Sequence, residues 1–223
     1  HPLPKALFNE EEIVFEKIDV RNKLHRRVFG PIQKELQYPE KLNAIATMCG
    51  RIYKSSLFQN VKFVPLDKLG MCEDGYMNVF LFERANRVIF KKHYLYHYRK
   101  VISGGSLTQK KDSNIFEKEK IYYNTLNQYI ANNHLDEVYI EALNNRMTIS
   151  LIECGITIIN SHVNVYKNIR DILYSKEYRS SCQKFSLQYL PIHWKIFFQF
   201  AKMQWTFCIY ILLIAMKLLS SRK

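Results

Sequence analysis

Apolar and polar residues alternate from Ile13 to Val20, with Ile13, Phe15, Ile18 and Val20 apolar and Glu16, Lys17 and Asp19 polar. This is the two-residue period of a half-buried strand, with a slip near Lys17. Arg21 to Arg27 is a basic cluster, and Gly30-Pro31 breaks the chain after it. From Pro39 to Phe58 the positions Leu42, Ile45, Met48, Ile52 and Tyr53 recur every three or four residues. That spacing predicts a helix, or a helix then a strand, with Gly50 ending the helical part. Val61 to Gly75 carries turn chemistry, and Tyr76 to Ala85 reads as helical. Arg87 to Phe90 and His93 to Tyr98 are rich in β-formers and predict two short strands around Lys91-Lys92. Ser103-Gly104-Gly105-Ser106 is a loop by composition, its adjacent glycines allowing backbone amides to approach a ligand. Phe116 to Asn133 and Leu135 to about Tyr174 predict helices, the second interrupted near Gly155. Pro191 opens a last segment in which Trp194, Phe197, Phe198, Ala201, Trp205, Cys208, Leu212 and Met216 form one stripe and Lys195, Gln199, Lys202 and Thr206 the opposite one.

Composition adds that 223 residues, 48% apolar and 24% charged, belong to a globular chain with one main domain and an appendage. Thirty-three Lys and Arg against 20 Asp and Glu leave a net charge of +13, which favours nucleic acid, an anionic membrane surface or phosphorylated substrates without choosing among them. The five cysteines, Cys49, Cys72, Cys154, Cys182 and Cys208, are scattered, with no C-x-x-C pair. They point to a reducing compartment and to neither a disulfide framework nor a zinc site. The opening His1-Pro2-Leu3-Pro4, followed by Glu10-Glu11-Glu12, lacks a signal-peptide pattern, and a start at His1 predicts a fragment or processed product. Fifteen Tyr and 14 Phe serve packing first and sugar stacking as a second use.

Three motifs follow one another in a characteristic order. Cys49-Gly50-Arg51-Ile52-Tyr53-Lys54-Ser55-Ser56-Leu57-Phe58 leads to Val61-Lys62-Phe63; Glu73-Asp74-Gly75-Tyr76-Met77-Asn78 comes second; Leu95-Tyr96-His97-Tyr98-Arg99 with Ser106-Leu107-Thr108 comes third. Over about sixty residues this resembles the acceptor-side part of the inverting family 2 glycosyltransferases of polysaccharide and surface-glycan synthesis. The resemblance implies a hexosyltransferase-type enzyme that transfers sugar from a nucleotide sugar to a glycan or lipid-linked acceptor. It implies an α/β fold: a partial GT-A-like mixed sheet over residues 1–110, a helical region over 111–190, and an amphipathic, membrane-associating C-terminal helix over 191–223.

Inverting transfer needs a carboxylate that takes the proton of the acceptor hydroxyl while the diphosphate leaves from the opposite face of the sugar. Asp74 matches the family's base, and Glu73 beside it would tune that carboxylate or bind acceptor. Acidic residues are also favoured at any helix N-terminus, so a solvated helix start accounts for the same pair. Arg99 offers a planar fork of donors to a leaving diphosphate, and Tyr98, His97 and Ser106 complete the substrate-binding set that the resemblance implies. Alternatively, Tyr96 and Tyr98 face the core from a strand while His97 and Arg99 face water.

Two departures stand out. Cys72 occupies the place where the family usually carries glycine, and no Asp-x-Asp occurs in the chain. The divalent metal, Mn or Mg, expected of the complete enzyme therefore has no ligands here. The expected partners are a missing N-terminal half or partner chain, and the cytoplasmic membrane surface. The chain would sit peripherally at the inner face of the cell membrane and be inactive alone. The stretch Trp205 to Met216, with only Thr206 polar, is too short to span and reads as a helix in the membrane interface with Trp194 and Trp205 at headgroup depth, or as an ordinary buried helix. The competing class is a noncatalytic basic protein binding membranes or nucleic acid, although no nucleic-acid motif accompanies the charge. The lone histidines His25, His134 and His162 read as core or surface residues.

Overall fold

The computed structural model describes residues 12–69, 71–93, 96 and 114–220. Strand β1 (Glu12–Glu16) pairs antiparallel with β2 (Arg87–Lys91), Val14 opposite Ile89. Phe15 and Phe90 meet edge to face, with centroids 5.6 Å apart, while Glu12–Lys91 and Glu16–Arg87 form cross-strand ion pairs. Among the described residues this pair is the whole sheet, smaller than the mixed sheet expected. The strand expected through Val20 ends at Glu16. A helical stretch follows, made of α1 (Lys17–Asp19), a π-helical turn (Val20–His25) and α2 (Arg26–Phe29). Val20, Leu24 and Val28 are buried at a spacing of four, and burying that one face outweighs the short alternation before it.

The helix expected between Pro39 and Phe58 does not form; the segment has 3₁₀ turns at Pro39–Lys41 and Ser55–Phe58 with irregular chain between. Its carbonyls are met by side chains. Those of Lys41 and Leu42 accept from Arg27 at 3.0 Å each, that of Ile45 from Arg51 at 2.8 Å, and that of Ala46 from Asn78 at 2.6 Å. Side chains thus meet carbonyls of this segment in place of a continuous helical ladder. Helix α3 (Leu66–Leu69) is a single turn, and α4 (Glu73–Arg84) leads into β2. The second predicted strand, His93–Tyr98, lies outside the described residues except for His93 and Tyr96, neither of which is in a strand.

The rest is helical: α5 (Ile115–Asn132), α6 (Glu137–Ser161), α7 (Val165–Tyr174), α8 (Lys176–Lys184), α9 (Ile192–Lys202) and α10 (Thr206–Ser220). Helix α6 touches α2, α5, α7, α8 and α10, and every residue from 142 to 152 is buried. Its first half joins β1, α2, α4 and α5 in one apolar cluster, and its second half joins α7–α10 in another. The interruption expected near Gly155 is absent. A Cβ there would lie 2.5 Å from Leu213 Cδ1, so the glycine admits α10 against α6 instead of ending the helix. The break comes at the 162–164 turn, where His162 and Asn164 take left-handed conformations.

The last segment is two helices. Trp194, Phe197, Phe198 and Ala201 of α9 are core residues, which takes Trp194 out of the membrane role expected for it. Gln204, at φ 57°, breaks the helix before Trp205, and the buried face of α10 then runs through Thr206, Ile209 and Leu213. Among the described residues no helix is long and apolar enough to cross a membrane.

Arg146, 1% exposed, fastens α6 to the end of α2 and to Asn43. Nε donates to the Phe29 carbonyl at 3.1 Å, Nη2 to Val28 at 3.0 Å and Nη1 to Asn43 Oδ1 at 3.0 Å, and the guanidinium lies 5.4 Å from the Tyr122 ring centroid. It therefore satisfies carbonyls at the buried end of α2. Close approach makes this possible, since a Cβ at Gly30 would lie 2.0 Å from the Ala142 carbonyl oxygen. Arg146→Leu is expected to lower stability by about 3–5 kcal/mol, because three acceptors lose their donor in the core. Urea unfolding checks this, and a loss below about 1 kcal/mol would contradict the role.

Burial pushes the Glu119 carboxyl up to about 7 from 4.5, with Arg146 pulling down and Glu153 pushing up. Folded Glu119 thus keeps its proton where the unfolded chain has lost it. Its contribution is fully present below pH 4.5 and is lost as pH rises through about 7. Glu119→Gln should therefore gain about 3 kcal/mol relative to wild type between those limits, measured as the difference in unfolding free energy across pH.

Candidate functional site

Glu73 and Asp74 form the first turn of α4, and their aim is set by the residue before them. Cys72 adopts φ 57°, ψ 41°, the left-handed conformation that glycine takes freely and other residues at about 1–2 kcal/mol. The cysteine thus makes the turn that a glycine would make there. Burial, and after it the charge of Glu119, pushes its thiol up to about 12. Glu73 is exposed. Asp74 is half-buried, and its Oδ2 accepts the Met48 amide at 3.0 Å.

Four residues on, Asn78 is 0% exposed and lies on the same helix face as Asp74. Its Nδ2 donates to the carbonyls of Ala46 at 2.6 Å and Thr47 at 3.4 Å. Its Oδ1 accepts from Tyr53 Oη at 2.8 Å and Arg51 Nη1 at 3.2 Å. Burial raises the Tyr53 hydroxyl, which keeps it a donor. Arg51 also lies over the Phe82 ring, 5.4 Å from its centroid, and Tyr53 meets Phe58 edge to face. The irregular stretch 45–53 is thereby clasped to α4 by two side chains a turn apart. Gly50, at φ 73°, faces Tyr96, whose Cβ lies 3.5 Å from where a glycine Cβ would stand. Residues of the first and second motifs thus meet at the start of α4, and Tyr96 of the third lies beside Gly50 of the first.

Asp74 and Asn78 are in this cluster and Glu73 is at its exposed margin. Arg99, Tyr98, His97 and Ser106 lie outside the described residues. Beneath α4, a Cβ at Gly75 would stand 2.8 Å from Tyr122 Oη, which ties the helix start to the Arg146 network. Among the described residues no three His, Cys, Asp or Glu side chains come together as metal ligands. His25 is a core residue whose Nδ1 is 2.8 Å from Tyr139 Oη; burial pushes its pKa down to about 4.

Sequence reasoning singled out the acids and missed Asn78, Arg51 and Tyr53 as a unit. The spacing Asp74-x-x-x-Asn78 on a helix is the signal that could have found Asn78, since it puts a polar side chain where the apolar face should continue. No family model matches the chain, and neither does any curated protein or solved structure.

Asn78→Ala leaves Arg51, Tyr53 and the Ala46 carbonyl without their shared partner. It is expected to cost about 2–3 kcal/mol and to expose the 45–53 stretch. Thermal unfolding and faster tryptic cleavage after Arg51 are the readouts; unchanged cleavage would show that the amide does not hold the stretch.

Proposed function

We propose that this chain is the acceptor side of an inverting glycosyltransferase, with Asp74 as the base that takes a proton from the acceptor hydroxyl. The observation that carries the reading is the packing of the first motif on the second at the start of α4: Arg51 and Tyr53 on Asn78, with the adjoining Met48 on Asp74 and Tyr96 against Gly50. A base must be held at one rotation to receive a proton along a defined line. The Met48 amide engages Oδ2, fixing the carboxylate and leaving Oδ1 for the substrate. As the acceptor oxygen bonds to the anomeric carbon, its proton passes to Asp74 and the nucleoside diphosphate departs with the electron pair of the broken bond. Glu73, at the open margin, is placed to bind acceptor hydroxyls, and Arg99 with Tyr98, His97 and Ser106 would meet the diphosphate.

In this reading the nucleotide sugar and its divalent metal are held by a donor-side half, joined to this chain or paired with it. The fold of the whole would be of the GT-A type, working on a glycan or lipid-linked acceptor in surface polysaccharide synthesis at the inner face of the cell membrane. In the complete enzyme, Asp74→Asn keeps the shape and the Met48 contact but loses the base. Turnover should fall roughly a hundredfold or more with donor affinity unchanged, measured by steady-state kinetics and nucleotide-sugar titration. Unaltered turnover would remove Asp74 from the chemistry.

A further inference from the structure

We propose that α10 carries a lipid-inserting face, the stripe Phe207, Ile211, Ala215, Leu218 and Leu219, which docks the protein on an anionic bilayer surface. A helix on the outside of a globular protein normally buries one apolar stripe and shows a polar one. Helix α10 departs from this. Its inner face, Ile209 and Leu213, belongs to the core, while its outer face is apolar as well. Phe207 is 66% exposed, Ile211 47% and Leu219 65%. Trp205 begins this face, 48% exposed and stacked on Phe200 with centroids 5.4 Å apart. An amphipathic indole at the edge of an apolar stripe suits the boundary between headgroups and acyl chains. The helix has 15 residues, about 22 Å long, too short to cross the roughly 30 Å of hydrocarbon but suited to lie along it.

The surrounding charge selects the occupant. Residues 178–223 contain seven Lys and Arg and no Asp or Glu, Lys195, Lys202 and Lys217 among them. A second copy seated on the same stripe would bring two such segments together, and the like charges would repel. A surface of anionic headgroups answers the charge and the apolar stripe at once. The inference extends the membrane element of the reading above and does not rest on its sugar chemistry.

The test is flotation of the full chain with vesicles of phosphatidylcholine and phosphatidylglycerol, against vesicles of phosphatidylcholine alone. Wild type should float with the anionic vesicles and roughly tenfold less with neutral ones. Phe207→Ser with Ile211→Ser should weaken flotation about tenfold or more. Both side chains face outward, so the circular dichroism and melting temperature should stay those of wild type. Lys195→Gln with Lys202→Gln, which leaves the apolar stripe intact, should weaken binding to anionic vesicles and leave neutral ones unaffected. Equal flotation of wild type and the serine variant overturns the proposal, and so does wild type that fails to float. A wild-type dimer in sedimentation that the serine variant converts to monomer, without flotation, would instead make the stripe a contact between copies. Vesicle binding is read without substrate, so its failure leaves the reading of Asp74 standing, and the reverse holds.

Discussion

A guanidinium sealed inside the protein organises everything else. Removing Arg146 from water is costly, and the cost is offset only because its donors meet acceptors that would otherwise be orphans. Those acceptors are the Val28 and Phe29 carbonyls at the end of α2 and the Asn43 side chain, with the Tyr122 ring nearby. The arginine and the helix end therefore solve each other's problem, and neither could be buried alone. Helix α6 also reaches α7, α8 and α10, so the helix that carries this side chain joins the sheet-bearing half to the helical half.

The same network reaches the candidate site in two steps. Asn43 accepts from Arg146 and donates to Glu153 Oε2 at 3.1 Å, which anchors the start of the irregular stretch 43–53 on α6. The far part of that stretch is held by Asp74 and Asn78 on α4. An otherwise unsupported segment is thereby pinned between two helices from different parts of the chain. A site built on such a segment owes its rigidity to side-chain hydrogen bonds, since few backbone bonds cross it. This is why buried amides and guanidinia recur in it.

How much of this was legible in the sequence varied with whether a period stayed inside one element. The regions of α4, α5 and β2 read correctly because their patterns neither cross a break nor compete with another pattern. Ile13, Phe15, Ile18 and Val20 alternate, yet Val20 also starts a spacing of four that ends in Val28, and helical burial won. The three-four spacing of Leu42, Ile45 and Met48 promised a helix, but Arg27 and Asn78 from other elements, and Arg51 from the segment itself, meet its carbonyls, which local propensity cannot foresee. The stripe from Trp194 to Met216 ran across a break that no proline or glycine marks, since Gln204 makes the turn. Gly155 misled in the opposite sense, being small so that a neighbour could approach. As for the site, the Glu-Asp pair and its helix start were visible in the motif, while the roles of Asn78, Arg51 and Tyr53 required contacts across the fold. Arg146 had left a trace, because Asn144-Asn145-Arg146 interrupts an apolar helix with three polar residues, and buried polar residues in such a place need partners.

The contact of Gly155 with Leu213 bears on how the protein is made. A ribosome delivers α6 well before α10, so the second half of the central helix leaves the exit tunnel with a groove at the glycine and nothing to fill it. Until Ile209 and Leu213 arrive, the apolar wall formed by α7–α9 stays open to water and to chaperones. The sheet-bearing half can close around Arg146 during that interval, so assembly during synthesis would proceed in two stages separated by the translation time of the C-terminal helices.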